Sequence, residues 1–505
     1  VTPNADRTYS LIASASYTVI AGKPGYKTHE QTVTAKDFAS GKLTISLSKG
    51  GAALTDLTGD WTSFRNSDAN MGITNSQTPI SGNYTKELWT VKFGSGDYAG
   101  SVTQPLLIDG ALYVQSGRKL LKIDPKNGNV LQSASVSGSS AGFTTNPISY
   151  GDGMVFLLLE DSEGSYIQAF NAKTLESLWN SEKVSGQLIS PVTYHNGYLY
   201  GGTWNGEKEI GTYYMLSATD EDTSKTNETK KLLWKLDHKG GFYWAGAYAT
   251  DKFAVFGSDD GTSEGQNAES AVLYSVNPLN GSVISKITGL KGDIRSSIAY
   301  ADGSVYFTTK GGMLYQVKVD TDGNLSDVKS FNMGSSYMST GTPVVYDGIA
   351  FVSCSGASQF GSDGKIFAVN TTDMTRIAEA STPGYVQSSM LLTTAYKDSE
   401  NALYLYATCN QKPGGILAVK YDLANKKLST EEIYTPDGDK AEYNICSPIC
   451  DADGNIYFKN DSTYLFAIGK RAEDEKQIAS VNFVLNGGSA AGISESSTKI
   501  YYSSD

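Results

Sequence analysis

The chain repeats one pattern of four short strands eight times, and this repeat limits the folds that the sequence can adopt. Each unit begins with a short strand, a turn and an aromatic strand, as in SPVTYHNGYLY (190–200) and SPICDADGNIYF (447–458). An aliphatic strand, a second turn and a fourth strand follow, as in IQAFNAKTLESLW (167–179). Equivalent positions of the eight units are Pro105, Pro147, Pro191, Ala247, Ser297, Pro343, Thr393 and Pro448.

The spacing of these units indicates how they assemble. Neighbouring units lie between 42 residues (Pro105 to Pro147) and 56 residues (Pro191 to Ala247) apart. Four short strands at such a period are typical of the blades of a β-propeller, whereas an array of β-sandwiches needs longer units with cores of their own. The sequence therefore predicts an all-β chain with an eight-bladed β-propeller.

The two ends of the repeat region predict how the ring closes. The last unit stops at LFAIGK (465–470) and lacks a fourth strand. An unpaired strand, KELWTVKF (86–93), precedes the first unit and resembles KLLWKL (231–236), the fourth strand of another unit. We expect strand 86–93 to complete the last blade, because an unpaired edge strand would otherwise template aggregation.

The remaining sequence divides into flanking segments. Residues 1–50 contain short alternating strands and are predicted to form a small β-sandwich-like domain, truncated at its start. The propeller is assigned to residues 56–470, and residues 478–505 to a β segment of a further or flanking domain. Because the chain begins without Met and has no signal peptide, we interpret it as a mature or excised part of a longer protein.

Charge and hydrophobicity exclude several classes of partner. The 505-residue chain carries a formal net charge of −12, which disfavours general binding to nucleic acid or anionic membranes. The sequence has no apolar run of about 20 residues, so membrane insertion is not expected. We predict a monomer that meets its partner in solution or at a surface.

Two stretches resemble a known propeller family. Residues DWTSFRNSDANMGIT (60–74) resemble the start of pyrroloquinoline-quinone-like propellers, through Trp61, Phe64, Arg65, Asn66, Gly72, Ile73 and Thr74. The stretch AFNAKTLESLW (169–179) resembles the Ala-x-Asp-x-x-Thr-Gly-x-x-x-Trp docking repeat of that family, with Asn171 for Asp and Leu175 for Gly. The resemblance implies an eight-bladed propeller that serves either as a quinone-dependent dehydrogenase or as a non-catalytic scaffold.

The N-terminal segment carries a second resemblance. The stretch YTVIAGKPGYKTHEQTVTA (17–35) is similar to PEGA or carboxypeptidase-regulatory-like β modules, which commonly decorate bacterial surface proteins. This resemblance implies an extracellular or cell-surface location. The combination of modules suggests a large surface protein of an anaerobic Gram-positive bacterium.

The sequence lacks the features expected of a quinone enzyme. Dehydrogenases of the resembled family use adjacent cysteines, an Asp base and a Ca²⁺ site, but the cysteines here are Cys354, Cys409, Cys446 and Cys450, and no Cys-Cys pair occurs. The loops DTDGN (320–324) and DADGN (451–455) lack the distant Glu of an EF-hand and are explained as turns. We therefore predict no catalytic residues, no metal site, and neither quinone nor Ca²⁺ as a cofactor.

The thiols and imidazoles have ordinary structural explanations. Cys446 and Cys450 lie four residues apart, too far for a disulfide within one strand, so four buried free thiols are expected. The histidines His29, His195 and His238 form no triad or metal motif that the sequence reveals.

Equivalent positions of successive blades converge on the channel of a propeller, which makes the start of each innermost strand a candidate ligand contact. The candidate channel-mouth residues are Phe143, Gln187, Tyr243, Trp244, Asp293, Arg295, Tyr337, Tyr385 and Asn444. Trp204 in the preceding blade is a companion for Tyr243 and Trp244. Hydrogen-bonding groups beside aromatic rings suit a sugar or a peptide, although core packing and a solvated channel lining explain the same residues.

These observations favour a non-enzymatic binding or adhesion module of a bacterial surface protein, with a glycan or protein ligand at the propeller face. A quinone-dependent or other propeller enzyme is one alternative. A structural spacer within a long surface protein is the other, since a fold by itself does not determine a function.

Overall fold

The structure is a computed structural model, and it shows an eight-bladed β-propeller. It describes residues 8–38, 41–94, 102–138, 148–262, 267–334, 337–356 and 363–472, together with the backbone of two later strands. Eight sheets of four main strands each surround a central channel, and the described residues contain almost no helix. The predicted fold class and blade count are therefore confirmed.

The strands before the ring and in the first four blades follow the chain in order. The N-terminal strands are β1 (Tyr17–Ala21), β2 (His29–Val33), β3 (Ile73–Thr74) and β4 (Thr85–Lys92). Blades 1 and 2 contain β5 (Leu106–Ile108), β6 (Ala111–Ser116), β7 (Lys119–Ile123), β8 (Val130–Ser135), β9 (Ser149–Gly151), β10 (Met154–Asp161), β11 (Gly164–Asn171) and β12 (Ser177–Ser181). Blades 3 and 4 contain β13 (Gln187–Leu188), β14 (Thr193–His195), β15 (Tyr198–Trp204), β16 (Ile210–Ser217), β17 (Glu228–Lys230), β18 (Leu232–Lys239), β19 (Tyr248–Ala249), β20 (Ala254–Gly257), β21 (Glu269–Val276) and β22 (Val283–Lys291).

The second half of the ring repeats this order. Blades 5 and 6 contain β23 (Ala299–Ala301), β24 (Ser304–Thr309), β25 (Met313–Val319), β26 (Leu325–Asn332), β27 (Val344–Tyr346), β28 (Ile349–Ser355), β29 (Gly364–Asn370) and β30 (Thr375–Thr382). Blades 7 and 8 contain β31 (Leu391–Thr393), β32 (Ala402–Ala407), β33 (Ile416–Asp422), β34 (Lys427–Tyr434), β35 (Ile449–Cys450), β36 (Ile456–Lys459) and β37 (Tyr464–Lys470). A separate hairpin is formed by β38 (Gln477–Asn482) and β39 (Ser497–Tyr501).

The described part of the chain contains four short helices. One is an α-helical turn at Lys397–Glu400, and the 3₁₀ turns are at Ala35–Phe38, Gly82–Tyr84 and Gly438–Lys440. No helix in the described part of the chain has the length and apolar character needed to cross a membrane.

The turn between the first two strands of a blade explains part of the repeat. The pairs Asp109-Gly110, Asp152-Gly153, Asn196-Gly197, Asp302-Gly303 and Asp347-Gly348 all have positive φ at both residues. Two consecutive residues at positive φ define the type I′ hairpin turn, which favours Asn or Asp followed by Gly. The Asp-Gly pairs of the sequence are therefore hairpin signals.

The ring closes as the sequence predicts. Strand β4 pairs antiparallel with β37 and supplies the fourth strand of blade 8, from Thr85↔Lys470 to Lys92↔Tyr464. The predicted closing strand, 86–93, differs from β4 by one residue at each end.

Tryptophans on three outer strands dock each blade onto the next. The indole Nε1 of Trp89 donates to the carbonyl of Pro125 at 2.8 Å, and that of Trp234 donates to Pro278 at 2.8 Å. Trp179, the last residue of the docking repeat, donates in the same way to Ala218 at 3.2 Å. The repeat pattern therefore encodes contacts between blades as well as strands within them.

One face of the channel is covered by residues 58–78, which we call the plug segment. Trp61 pairs with Leu107 of blade 1 through backbone hydrogen bonds of 3.2 and 2.9 Å. The side-chain amide of Asn70 donates to the carbonyls of Ala247 at 2.8 Å and Ile298 at 2.9 Å, which joins blades 4 and 5. Strand β3 continues the segment in parallel with β31 of blade 7.

The family-like motif at the start of the chain is the centre of this plug segment. Arg65 is fully buried, and its Nη1 and Nη2 donate to the carbonyls of Ser389 and Met390. Burial lowers the pKa of Arg65 to about 9, because no carboxylate in the described residues pairs with it. Gly72 lies directly against this guanidinium, at φ 61°, so a side chain there would collide with it. In the described part of the chain no equivalent segment crosses the opposite face of the channel, which we call the open face.

The N-terminal hairpin β1–β2 packs against an insertion of blade 3. Thr28 donates to Glu221 at 2.6 Å, and Glu30 pairs with Lys231 at 3.3 Å. Within the same insertion, β17 pairs in parallel with β12 and covers the outer edge of blade 2. The described part of residues 1–50 thus contains one two-stranded sheet that contacts the propeller.

His195 fastens the plug segment to two blades. Its Nδ1 lies 3.2 Å from Oδ2 of Asp68 in the plug segment, and its Nε2 lies 3.2 Å from Oδ1 of Asp251 in blade 4. The hydrogen bond with Asp68, working against burial, raises the pKa of His195. Only the protonated imidazole donates from both nitrogens, so both contacts are hydrogen bonds only below the folded pKa.

We expect His195→Asn to lower the free energy of unfolding by up to about 1 kcal/mol at pH 5 and by less at pH 8. A raised pKa in the folded state gives a contribution that is complete below the unfolded pKa and is lost as the pH rises through the folded pKa. Urea titrations at both pH values measure the difference. His29→Asn, where the imidazole contacts the amide of Gln31, is the control; an equal loss at both pH values for His195→Asn would contradict the expectation.

Candidate functional site

A ring of small polar residues lines the middle of the channel and links successive blades. The backbone N–H of Ser297 donates to Thr342 Oγ1 at 3.2 Å, and that of Thr342 donates to Ser389 Oγ at 2.9 Å. Ser389 N–H donates to Ser447 Oγ at 2.9 Å, and Ser447 N–H donates to Gln104 Oε1 at 3.1 Å. This ring was not predicted from the sequence. The feature that could have revealed it is the small polar residue that precedes the proline in several units.

The channel axis itself is nearly filled. A cavity of about 30 Å³ lies on the axis between Phe64 of the plug segment and Trp244, Arg295 and Gln387 on the blade side. This volume suits bound water and is far below the several hundred Å³ of a ligand pocket. A sugar or a peptide therefore cannot enter this axial cavity.

The innermost strands begin later than the sequence analysis assumed. They start after the equivalent proline, for example at Leu106 in blade 1 and Val344 in blade 6. Most of the candidate residues upstream of them consequently lie on the connections that lead from the outer strand of one blade into the next blade. Gln187 is the exception, because it begins β13, which pairs with β15 of blade 3.

Arg295 is the centre of a buried ion cluster at this face. Its Nη2 lies 2.7 Å from Glu207 Oε2 of blade 3 and 2.7 Å from Asp259 Oδ2 of blade 4. Its Nε donates to the same Asp259 oxygen at 3.1 Å. Nη2 is also 3.0 Å from Asp293 Oδ2, without hydrogen-bond geometry. We call Arg295, Glu207, Asp259 and Asp293 the Arg295 cluster; it joins blades 3, 4 and 5.

Aromatic rings surround the guanidinium. Its carbon lies 4.2 Å from the ring centroid of Tyr243 and 6.0 Å from that of Trp204, within the range of cation–π contacts. Trp204 and Tyr243 meet edge to face at 5.1 Å, and Tyr243 meets Trp244 at 4.8 Å. The guanidinium of Arg295 is therefore occupied by ion pairs and cation–π contacts within its own chain. The partly exposed aromatic rings are the surface that a ligand can contact.

The carboxylates of the cluster outnumber the cations. Burial raises the pKa of Asp293 to about 6, although Arg295 opposes the shift, and burial also raises the pKa of the fully buried Asp259. Burial alone would lower the pKa of Arg295, but attraction by Asp259 and Asp293 raises it. Lys310 stands 3.8 Å from Asp293, and burial and Arg295 lower its pKa. The described part of the mouth thus holds three carboxyl groups beside two cations, Arg295 and Lys310.

The guanidinium of Arg295 lies between the three carboxylates of the cluster. One oxygen each of Glu207, Asp259 and Asp293 lies within 4.8 Å of the others, which is the spacing of a possible cation site. Nη2 of Arg295 lies within 3.0 Å of all three oxygens, so the guanidinium occupies the position that an ion would need.

The structure brings five of the predicted site residues together. Gln187, Tyr243, Trp244, Asp293 and Arg295 lie on the part of the open face formed by blades 3, 4 and 5. Phe143 lies outside the described residues.

The other three predicted residues lie elsewhere. Tyr337 packs beside the core of blade 6. Tyr385 and Asn444 are fully buried; the hydroxyl of Tyr385 bonds Thr340 at 3.0 Å, and Asn444 Oδ1 accepts the N–H of Cys446 at 3.0 Å. In this geometry neither side chain offers a surface to a ligand.

The sequence analysis missed Glu207 and Asp259 as partners of Arg295. Glu207 lies in the β15–β16 hairpin, and Asp259 directly follows β20. The available signal was an acidic residue just after the second strand of neighbouring blades, where the chain reaches the open face. That signal is weak, since acidic residues are also common in exposed hairpins.

The four cysteines are free and buried, as predicted. Only Cys450 of the close pair lies in a strand, because β35 is limited to Ile449–Cys450 and Cys446 lies in the preceding connection. Burial raises the pKa of all four thiols, which keeps them protonated.

The proposed calcium-like loops are closed turns. In the loop at 451–455, both carboxylate oxygens of Asp451 accept hydrogen bonds from Asn455 at 2.8 Å, and Oδ2 also accepts one from Tyr457 at 2.8 Å. Asp320 binds Asn324 in the same way, at 2.9 and 2.8 Å.

Comparison with known proteins shows which other propellers resemble this chain. The PQQ_2 family model, described as outer membrane protein assembly factor BamB, matches residues 80–203. A quinohemoprotein alcohol dehydrogenase from Pseudomonas putida superposes with a TM-score of 0.60, at 12% identity and 84% coverage of each chain. The chain shares the propeller fold of this dehydrogenase over most of its length. No curated protein matches the chain by sequence at a significant level.

Other solved propellers of similar fold carry names that indicate different functions. A europium-containing methanol dehydrogenase aligns with a TM-score of 0.60 at 11% identity, covering 81% of this chain and 98% of its own. BamB from Moraxella catarrhalis aligns with a TM-score of 0.51 at 10% identity, covering 76% and 99%. The fold alone therefore does not distinguish an enzyme from an assembly factor.

Proposed function

We propose that this PQQ-type propeller is a non-enzymatic binding module that recognises a glycan or protein partner at its open face. The observation that carries the proposal is the construction of that face. The plug segment closes the opposite face, and the saturated Arg295 cluster fixes three blades rigidly beneath the partly exposed rings of Trp204 and Tyr243. A rigid, aromatic, acidic surface suits recognition, because little conformational entropy is lost on binding.

We further propose that the mouth takes neither pyrroloquinoline quinone nor Ca²⁺. The quinone is a planar polycarboxylate, and the residues present do not fit it: Glu207, Asp259 and Asp293 outnumber the cations at the mouth. The axial cavity of about 30 Å³ has no space for a fused ring system. A cation at the three carboxylates would have to displace Arg295.

The location is also a proposal. The resemblance of residues 17–35 to surface-protein modules supports an extracellular or cell-surface setting in a bacterium. The net charge of −12 supports a partner that is not a nucleic acid. Strand β4 closes the ring by pairing with β37 of blade 8. This pairing supports a monomer, because an unpaired edge of β37 could associate with another chain.

An array of glycans and host proteins, probed with the intact chain, tests the proposed function. We expect specific binding that Tyr243→Ala and Glu207→Gln weaken, while the control Leu131→Ala, on the outer strand of blade 1, leaves it unchanged. Arg295→Ala is a poor probe, since Arg295 is buried and structural. Absence of any binding would favour a spacer, and dye-coupled alcohol oxidation with added quinone and Ca²⁺ would favour the enzyme.

A further inference from the structure

We propose that a groove between blades 2 and 3 on the open face is a carbohydrate subsite, and that it accepts sugars without acidic groups. This inference rests on the proposed function and names its ligand class. The groove has a volume of about 390 Å³ and is lined by Glu160, Ser185, Gln187, Trp204 and Asn205, among others. It lies beside the Arg295 cluster, because Trp204 on its wall also contacts the guanidinium of Arg295.

The aromatic wall of the groove is fixed in place. Trp204 ends β15, and its backbone pairs with that of Gln187 on β13, so the indole and the amide belong to one rigid sheet. Tyr243 meets the indole edge to face at 5.1 Å and 88°, which leaves the groove side of Trp204 partly exposed. An indole held in one orientation is a suitable platform for the apolar face of a pyranose ring.

Polar groups that lack partners face the same groove. The side chains of Glu160 and Gln187 make no hydrogen bond in the described part of the chain, and both are partly buried. Burial raises the pKa of Glu160, as expected for a carboxyl without a nearby cation. A carboxylate and an amide can accept from and donate to vicinal hydroxyls of a sugar.

A second amide is already oriented. Asn205 donates from Nδ2 to the carbonyl of Ile210 at 2.7 Å, and its Oδ1 accepts from Ser185 at 3.3 Å. The carbonyl oxygen of this fixed amide retains acceptor capacity for a sugar hydroxyl.

The charge at the rim defines the class of sugar. Lys183 binds both Asp161 at 2.8 Å and Glu163 at 2.6 Å, which leaves Glu160 and the nearby Arg295 cluster as excess negative charge. Among the residues that line the groove, sialic or uronic acids would meet carboxylates and no cation. The volume of about 390 Å³ lies at the lower end of the range for small-molecule sites and suits about one or two sugar rings.

The test is saturation-transfer NMR and calorimetry on the full chain with N-acetylglucosamine, galactose, chitobiose, lactose and glucuronic acid. We expect one or more of the first four sugars to bind and glucuronic acid not to bind. Trp204→Ala should weaken binding about tenfold or more, Trp204→Phe should retain part of it, and Gln187→Ala should weaken it while leaving the melting temperature unchanged. Gln132→Ala, on the outer strand of blade 1, is the matched amide control.

The possible outcomes separate this inference from the proposed function. Sugar binding that neither Trp204→Ala nor Gln187→Ala changes would overturn the groove and leave the binding module intact. Binding of glucuronic acid in preference to the neutral sugars would overturn the ligand class. Array binding to proteins alone would overturn the carbohydrate subsite, and no binding to either array would count against the proposed function itself.

Discussion

Replacing Trp89 by alanine is expected to lower the free energy of unfolding by about 3–5 kcal/mol, because it removes a large buried side chain where the ring closes. Trp89 lies on β4, and its side chain contacts both blade 8 and blade 1. Its ring centroid is 6.1 Å from that of Tyr457, and its indole donates to Pro125 at 2.8 Å. Gly128 packs directly under the indole, so the void left by alanine would open between the two blades.

Urea denaturation followed by far-ultraviolet circular dichroism measures this loss. The matched control is Leu88→Ala, the preceding residue on the same strand, whose side chain is 37% exposed on the other face. We expect its effect to stay within about 0.5 kcal/mol. Similar losses for both variants would mean that the closing strand contributes through its backbone and not through the docked indole.

Replacing Arg295 by methionine should have an effect of the same size for an electrostatic reason. The substitution leaves Asp259 and Asp293, both 0% exposed, without their main cation. Removing one partner of a buried ion pair costs about 3–5 kcal/mol, because the remaining charge is neither solvated nor paired. Loss of the link between blades 3, 4 and 5 adds to this effect.

The pH dependence distinguishes this cause from a loss of packing. The pKa of Asp293 is about 6 in the wild type, and without the guanidinium the pKa values of Asp259 and Asp293 should rise further. A raised folded pKa makes the folded state bind more protons than the unfolded state, so stability increases as the pH falls through that value. The deficit of Arg295→Met should therefore be larger at pH 8 than at pH 5, in thermal melts at both pH values.

Two further variants complete the design. Arg376→Ala removes an arginine whose side chain is 56% exposed, so we expect a change of less than about 1 kcal/mol. The triple change Asp259→Asn, Asp293→Asn and Arg295→Met removes the stranded charges together with the guanidinium and should recover part of the loss. A deficit independent of pH in Arg295→Met would show that packing, and not charge, dominates at this position.

The fold followed from local features that the sequence displays directly. Alternation of apolar residues, the Asp-Gly and Asn-Gly turns and the eightfold repeat depend on contacts between residues close in sequence. Ring closure was predictable as well, because an unpaired strand at 86–93 and a missing strand after residue 470 left one consistent pairing.

The candidate site was predictable only in part. The repeat placed Tyr243, Asp293 and Arg295 at one end of the channel, since equivalent positions of a closed ring converge. It did not reveal that Arg295 forms ion pairs with Glu207 and Asp259, which are 88 and 36 residues away in the chain. Nor did it show that Tyr385 and Asn444 are fully buried, because burial in a connection depends on neighbouring blades.

The sequence by itself determined the all-β class, the number of blades and the strand that closes them, because each depends on short-range patterning repeated along the chain. Only the tertiary structure decided which face is open, since the plug segment is fastened by contacts to distant blades such as Asn70 with Ile298. It also decided that the mouth is acidic and aromatic. Side chains from three blades meet there only after the ring has formed. Local sequence patterns therefore do not predict the distances between these side chains.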